Sequence, residues 1–456
     1  MEQEQANSII ENLSGAFRRS VTVKLISIFV LMLLLMIPMA FVKSLINERD
    51  SLSKSVTYEV SDKWANEQKV YGPVLTIPFN EKYEIDNKVH NIRKEAHLLP
   101  SSLVINGNVT PETLRRGIYE VVVYNSDITF TGSFSDLESY TEQLQEYEIL
   151  WKEAFLTINI SDLRGIQKKV TVNWNDSEKQ VKPGTAIPEM IKSGVTVTDI
   201  FDESPDSDSI DFSFDLNLQG SQYLGFIPLG KETDVRLSSN WKDPSFTGSF
   251  LPDERTVNDD GFTSEYKILE LNRNYPQFWI GNRNIQNISE SAFGVDLLIP
   301  VNDYQKSMRS AKYALLAISL TFLTFFLVEI FNKQHVHPFQ YILIGLALCL
   351  FYTLLVSITE HANFDVAYLI SSISVISMIG LYTKSILSNL KQAILLVFIL
   401  GLTYTFVYIT LQIQDYALLI GSIGLTAILA LTMFITRNIN WYELGTTHKA
   451  ETSLSS

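Results

Sequence analysis

Residues 313–331, YALLAISLTFLTFFLVEIF, contain no base and one acid, Glu329, which lies near the far end. A helix rising 1.5 Å per residue needs about 20 such residues to cross a bilayer core. Four more apolar runs follow at short spacing, 341–358, 366–382, 393–413 and 416–435. A sixth, 25–42, stands near the start behind Arg18, Arg19 and Lys24. Runs of this length read as lipid-immersed helices, whereas residues 43–312 between the first and second runs read as water-facing. The join at 304–340 therefore fixes the architecture. It does not name a reaction.

The first run competes with a cleaved signal peptide, whose apolar region is shorter and ends in a small-x-small site. Here Pro38-Met-Ala-Phe-Val-Lys43 follows, so we read an uncleaved anchor kinked at Pro38. Ahead of it, Ile9, Ile10, Leu13 and Phe17 recur at helical spacing, as in an amphipathic turn on the membrane surface; a disordered tail is the alternative.

Charge is as unevenly placed as hydropathy. Residues 44–311 hold 26 Lys and Arg against 41 Asp and Glu, while the rest holds 10 against 9. An acidic domain without clustered Lys or Arg argues against nucleic acid as a partner. The loops between the later runs alternate in sign. Lys333, Lys384, Lys391 and Arg437 fall on one side, and Glu360, Asp365 and Asp415 on the other. The positive-inside rule puts the first set and both termini in the cytoplasm, with the large domain outside. Lys306, Arg309 and Lys312 run against the rule, which weakens beside long translocated domains. Tyr313, Tyr341, Tyr382, Tyr416, Trp441 and Tyr442 sit where an aromatic belt belongs.

Within the large domain, alternating and β-branched stretches recur at 70–78, 117–124, 128–134, 170–174, 210–218, 235–241 and 293–300. Turns are expected at Ile105-Asn-Gly-Asn108 and Val257-Asn-Asp-Asp-Gly261. Ser135-Asp-Leu-Glu138 has the form of a capping box, and Leu137, Tyr140, Leu144 and Tyr147 follow at helical spacing. The domain thus reads as mainly β with at least one helix. Phe130-Thr-Gly-Ser-Phe134 returns as Phe246-Thr-Gly-Ser-Phe250. Two related β-units of about 115 residues would leave such an echo; a chance match is the alternative.

Chemistry is sparse. Gly225-Phe-Ile-Pro-Leu-Gly230-Lys231 approaches a phosphate-binding loop, but Glu232 stands where a hydroxyl belongs, so we read a turn between strands. Ser51-Leu-Ser-Lys54 lacks the companion motifs of penicillin-binding enzymes and reads as a solvated linker. Asp202, Glu203, Asp206, Asp208 and Asp211 lack the spacing of a calcium loop and read as a solvated acidic loop. His335-Val-His337, beside Pro338, reads as a head-group segment ahead of a metal site, and Glu360-His361 as a polar helix end. Ser371, Ser374 and Ser377 read as close helix packing ahead of a substrate path. Cys349 is the single cysteine, which excludes an internal disulfide and a cysteine-ligated cluster. No span has a charge at its centre, against an ion-coupled pump. Neither catalytic nor cofactor-binding nor metal-ligating residues are assigned, and no cofactor is expected.

With these residues in place, the chain resembles the CreD family of inner-membrane proteins of Gram-negative bacteria, also known for colicin tolerance. The resemblance covers most of 18–443 and rests first on Ile37-Pro-Met39, Glu48-Arg49, Gly72-Pro-Val-Leu-Thr-Ile-Pro78 and Arg116-Gly-Ile-Tyr119. It continues in Ser239-Asn-Trp-Lys-Asp-Pro-Ser-Phe246, Ala311-Lys-Tyr-Ala314, Leu320-Thr-Phe322, His337-Pro338, Tyr341-Ile-Leu343, Glu360-His361 and Asn440-Trp-Tyr442. It implies a role in envelope integrity and stress response, under a CreBC two-component system where one exists, and it transfers no catalytic residue. The expectation is a six-span inner-membrane protein with one helix, a β-rich periplasmic insertion and five further helices. Its segments are a cytoplasmic leader, 1–24, an anchor, 25–42, a periplasmic domain, 43–312, a five-helix block, 313–436, and a cytoplasmic tail, 437–456. Expected partners are the bilayer and an envelope protein or cell-wall component, with self-association left open. A transporter or lipid-handling role for the five-helix block is the competing reading.

Overall fold

The computed structural model describes residues 21–437 apart from 86–87, 190, 206, 283, 298–302, 333–335, 388–389 and 414–415. The leader at 1–20, His335, Asp206, Asp415, Lys333, Trp441 and Tyr442 lie outside the described residues. The chain divides into two compact units, Met1–Leu52 with Val301–Ser456, and Ser53–Pro300.

The first unit is helical. Helix α1, Val21–Trp64, belongs to this unit as far as Leu52, is 44 residues long and continues through Pro38 without interruption. The solvated linker expected at Ser51–Lys54 is instead part of this helix, which runs as far as Trp64 because 43–64 contains neither Gly nor Pro to stop it. Two short helices in the other unit are α2, Leu137–Glu142, and α3, Ile285–Glu290. After them come α4, Asp303–Lys312, α5, Ala314–Asn332, α6, Pro338–Thr359, α7, Phe364–Ile386, α8, Leu390–Gln412, and α9, Ala417–Thr436. Six helices, α1 and α5–α9, are long and apolar enough to cross a membrane.

Arg309 and Lys312 do not extend the second span. They belong to α4, a separate helix that ends at Lys312, before Tyr313, and packs against α5–α8. Helix α1 lies close to α6 because Gly345 leaves room: a Cβ there would stand 2.2 Å from Leu35 Cδ1. Cys349 Sγ is 4.0 Å from the Leu35 carbonyl, buried on the same contact. Further along α6, the Phe351 ring centroid lies 5.3 Å from that of Tyr368 on α7 and 4.6 Å from that of Tyr404 on α8. The three serines of α7 do not share a buried face. Ser371 is buried, but Ser374 and Ser377 are exposed, since the packed stripe follows Phe364, Ala367, Tyr368, Ser371, Val375 and Ile379 at the helical period.

The second unit is β-rich, and its strands are numbered in chain order. They begin with β1, Gln68–Ile85, β2, Lys88–Leu98, β3, Ser102–Arg116, β4, Tyr119–Phe134, β5, Glu148–Ile149, and β6, Phe155–Ile160. Next are β7, Thr171–Trp174, β8, Ser177–Gln180, β9, Lys182–Pro183, β10, Gly194–Val197, β11, Ile210–Ser221, and β12, Tyr223–Phe226. Last are β13, Glu232–Ser239, β14, Pro244–Gly248, β15, Glu254–Asn258, β16, Gly261–Leu269, β17, Phe278–Ile280, and β18, Phe293–Leu297. One sheet has eight strands in the order β15-β16-β13-β3-β4-β11-β7-β8. The other has ten and follows β14-β18-β12-β1-β6-β10-β9, with β2 and β5 also on β1 and β17 on β2. A single apolar cluster draws on both sheets, including Phe130, Phe214, Phe226, Tyr266 and Phe293.

Three sequence expectations change here. The turn expected at 105–108 lies in the middle of β3, where Gly107 pairs with Ile128 on one side and Leu237 on the other. A Cβ at Gly107 would sit 2.7 Å from Leu237 Cδ2, so this glycine serves close packing and no turn. The stretches 117–124 and 128–134 are one strand, β4, continuous through Asn125-Ser-Asp127. The capping box at Ser135 does not form. Asp136 precedes α2 in the left-handed region without a side-chain cap, and the Glu138 amide donates to Asp208 Oδ1 at 2.9 Å. The turn at 257–261 joins β15 to β16 as expected. The two copies of the Phe-Thr-Gly-Ser-Phe echo occupy unlike places, one inside β4 within the eight-stranded sheet, the other starting on β14 at the end of the ten-stranded order.

Candidate binding surface

Alternation along β3, β4, β11 and β13 sends Leu103, Ile105, Phe130, Phe214 and Leu237 inward, leaving a polar outer face on the eight-stranded sheet. Its side chains bond across strands. Ser238 Oγ donates to Asn108 Oδ1 at 3.1 Å, Thr129 Oγ1 to Asp215 Oδ1 at 2.7 Å, and Gln219 Nε2 to Asn125 Oδ1 at 3.0 Å. Asn173 Nδ2 donates to Ser213 Oγ at 3.2 Å, and Asn217 donates to Asp127. A depression of about 350 Å³ opens in this face, lined by Asn106, Asn108, Asp127, Arg236, Ser238, Thr263 and Glu265 among others. Arg236 Nε stands 3.8 Å from Glu265 Oε1. The lining offers amide, hydroxyl and carboxylate groups at a solvent-open face, where exposed ion pairs contribute little. Such an arrangement suits recognition of a polar partner.

Where the connections cross between sheets, the polar groups are buried. Arg273 Nη1 donates to the Tyr275 carbonyl at 3.0 Å and Nη2 to that of Leu229 at 3.3 Å, with a further bond to Gln277. Gln277 in turn donates to the Pro100 carbonyl. Tyr275 Oη donates to the Pro228 carbonyl at 2.8 Å, and the guanidinium lies 4.4 Å from its ring centroid. Burial pulls the Arg273 pKa down. Next to this network, buried His97 pairs Nδ1 with Thr76 Oγ1 at 3.0 Å, and burial lowers its pKa to about 4.

Asp162 anchors the end of α1. It accepts from the Asn66 amide at 3.1 Å and from Arg164 Nη2 at 2.7 Å, and the Arg164 hydrogen bond holds its carboxyl down at about 2. Arg164 also reaches Asp62 on the helix itself, and Arg116, the last residue of β3, pairs with Glu59 at 2.7 Å.

In the helical unit, Glu329 is the buried acid. It accepts from Lys24, from the Val336 amide at 2.8 Å and from Tyr341 Oη at 3.1 Å, tying α1, α5 and α6 together. At the opposite end of α6, Glu360 pairs with Arg49 at 3.3 Å and serves as the helix C-cap.

The remaining sequence candidates find structural places. Lys231 bonds Asp136 at 2.9 Å, and the Gly230 amide donates to Thr233 Oγ1 at 3.0 Å, so the phosphate-loop look-alike is a connection whose groups are already used. Ser51 and Lys54 lie one turn apart on exposed helix, in place of the linker expected there. Asp208 caps α2, and the Asp211 amide donates to Asn175 Oδ1 at 2.9 Å. His337 caps α6, its Nδ1 accepting from the Phe339 amide at 3.2 Å while its own amide donates to Gln340 Oε1 at 2.9 Å. Among the described residues no group of three or more His, Cys, Asp or Glu could hold a metal. Sequence reading singled out neither Arg273, His97 nor Asp162. Lys24 and Glu329 were visible only as span-flanking charges, because their pairing crosses 305 residues.

One apolar helix, a β-rich insertion and five further apolar helices define a polytopic membrane protein. The family model described as inner membrane protein CreD matches residues 20–442. Inner membrane protein CreD of Escherichia coli (strain K12) is 33% identical over 427 residues, covering 92% of this chain and 93% of that protein. The chain belongs to the CreD family of inner-membrane proteins.

Proposed function

We propose that the chain is a non-enzymatic inner-membrane protein that supports envelope integrity, with its β-rich domain in the periplasm as the recognition module. The observation carrying this reading is the polar outer face of the eight-stranded sheet, whose depression presents hydrogen-bonding groups without a buried acid–base pair. The partner is an envelope protein or cell-wall component rich in hydroxyl and amide groups. Orientation rests on the loop charges, with Lys384, Lys391 and Arg437 on the cytoplasmic side. A test compares the full chain with Asn108→Arg/Thr263→Arg in a strain lacking the native gene. Cross-linked partner recovery and survival under envelope stress should both fall in the variant while its thermal transition stays in place. Unchanged recovery sinks the sheet face as the recognition surface. For orientation, Asp176→Cys in the β7–β8 turn should react with a membrane-impermeant maleimide in intact inner-membrane spheroplasts, since Cys349 is buried. Protection until lysis reverses the topology.

A second reading, lipid handling or transport by α5–α9, draws on buried hydroxyls of Ser371, Ser372, Thr383 and Tyr404 that find no hydrogen-bond partner among the described residues. Recovery of lipid or small polar solute with the full chain, unaffected by the sheet-face variant, favours this reading.

A further inference from the structure

Among the described residues, the side chains of Arg309 and Lys312 take part in no ion pair or hydrogen bond, and both line a cavity of about 260 Å³ between α1 and α4. One turn apart on α4, they share a face. The remaining lining is amphipathic, with Ile46 and Met308 apolar and Asn47 and Gln305 able to hydrogen-bond; Asp50 also lines it. The cavity's depth follows from the spans it adjoins. Ile46 and Asp50 stand four and eight residues beyond the apolar stretch of α1, roughly 6–12 Å along the helix. Lys312 is separated from the start of α5 by Tyr313 alone. The polar head-group layer on each side of the hydrocarbon core is roughly 5–8 Å deep, so the cavity opens at that level. Two cations also stand here on the flank where short loops are normally poor in Lys and Arg.

We propose that this cavity holds the head group of a glycerophospholipid, with its phosphate between Arg309 and Lys312. Arg309 supplies a planar donor fork and Lys312 a mobile ammonium, which together match a phosphodiester. Asn47 and Gln305 face the head-group alcohol, and Ile46 and Met308 the glycerol backbone. The site stands apart from the recognition role of the sheet face.

The test uses the purified full chain in dodecylmaltoside, titrated with dioleoylphosphatidylglycerol, with bound lipid counted by native mass spectrometry. Arg309→Gln/Lys312→Gln removes the charges and leaves a shorter neutral polar side chain at each position. Gln305→Trp fills the cavity and keeps the charges. Lys43→Gln removes a cation of similar depth that does not line the cavity. One lipid bound by the wild type, at least tenfold weaker in each cavity variant and unchanged in Lys43→Gln, supports the site. Should the charge variant not fold, Gln305→Trp alone decides. Equal weakening in Lys43→Gln overturns it in favour of diffuse surface attraction. Displacement of the lipid by 10 mM inorganic phosphate (roughly the concentration at which a simple anion site fills) overturns it in favour of a free-anion site. Wild-type binding in the cavity variants overturns it outright.

Discussion

Of the Lys, Arg, Asp and Glu side chains among the described residues, two are buried, one in each unit, and they are stabilised in different ways. Glu329 sits in the helical unit opposite a cation, Lys24, and adds two donors, the Val336 amide and Tyr341 Oη. Arg273 sits in the β-rich unit, and it is held by backbone carbonyls, Gln277 and the Tyr275 ring. Helices satisfy their own backbone, so a helical bundle has few spare carbonyls to solvate a charge, and opposite charge must come from another helix. Connections between sheets leave carbonyls unpaired, and a guanidinium with five donors can satisfy several at once. The first arrangement clamps chain segments far apart in sequence. The second holds the crossings at 99–101, 227–231 and 270–277 in one register.

The comparison breaks most directly at Glu329. Glu329→Ala leaves Lys24 and two donors without their acceptor, and breaking a buried pair typically costs about 3–5 kcal/mol. Lys24 retains 28% side-chain exposure, so the lower end, about 3 kcal/mol, is expected. Thermal unfolding of the detergent-solubilised chain measures it. Lys24→Met combined with Glu329→Gln should recover part of the loss, and a double variant as unstable as the sum of the singles removes the clamp from the account. Arg273→Met tests the other half. It orphans carbonyls of Leu229 and Tyr275 and the Gln277 amide, with an expected loss of about 2 kcal/mol read by tryptophan fluorescence of the β-rich unit. A loss below about 0.5 kcal/mol means that the crossings are held by apolar packing alone.

His97 sharpens the contrast through pH. Its folded pKa, about 4, lies below the unfolded value of 6.5, so the unfolded chain takes up the proton first. Stability is therefore full above about pH 6.5 and falls as pH drops toward 4, by about 2 kcal/mol between pH 7 and pH 5. Denaturant midpoints across that window should fall in the wild type and flatten in His97→Gln. An equal slope in the variant assigns the acid sensitivity to other groups.

The sequence carried the membrane half more clearly than the β half. Five apolar runs of about 17–21 residues became helices within a few residues of their expected ends, because a lipid-facing helix must be apolar all round and so announces its own length. The strands announce themselves less well. Asn106-Gly107 reads as a turn locally, yet Gly107 is needed inside β3 to admit Leu237, a contact set by a strand 130 residues later. Residues 43–64 have no apolar run, and Ser51–Lys54 within them reads as a solvated linker, although the absence of Gly and Pro allows the helix that forms. The buried charges are the least legible. Arg273 and Lys24 carry no local motif, and their roles arise from pairings across the fold.

His337 offers the smallest and most discriminating change. As part of a His-Val-His segment it carries a metal reading, yet in the fold it accepts a backbone hydrogen bond at the start of α6, with Pro338 at the first helical position. The two roles respond differently to substitution. An N-cap needs a short acceptor, so His337→Asn should leave the thermal transition unchanged, while His337→Ala should cost about 1 kcal/mol. A metal ligand tolerates neither change and makes the wild type sensitive to chelator. Equal destabilisation by Asn and Ala, together with a lowered transition in EDTA, would therefore return the segment to metal binding. The expected ordering, with Asn matching the wild type and EDTA without effect, confines His337 to holding the helix start that carries Tyr341 toward Glu329.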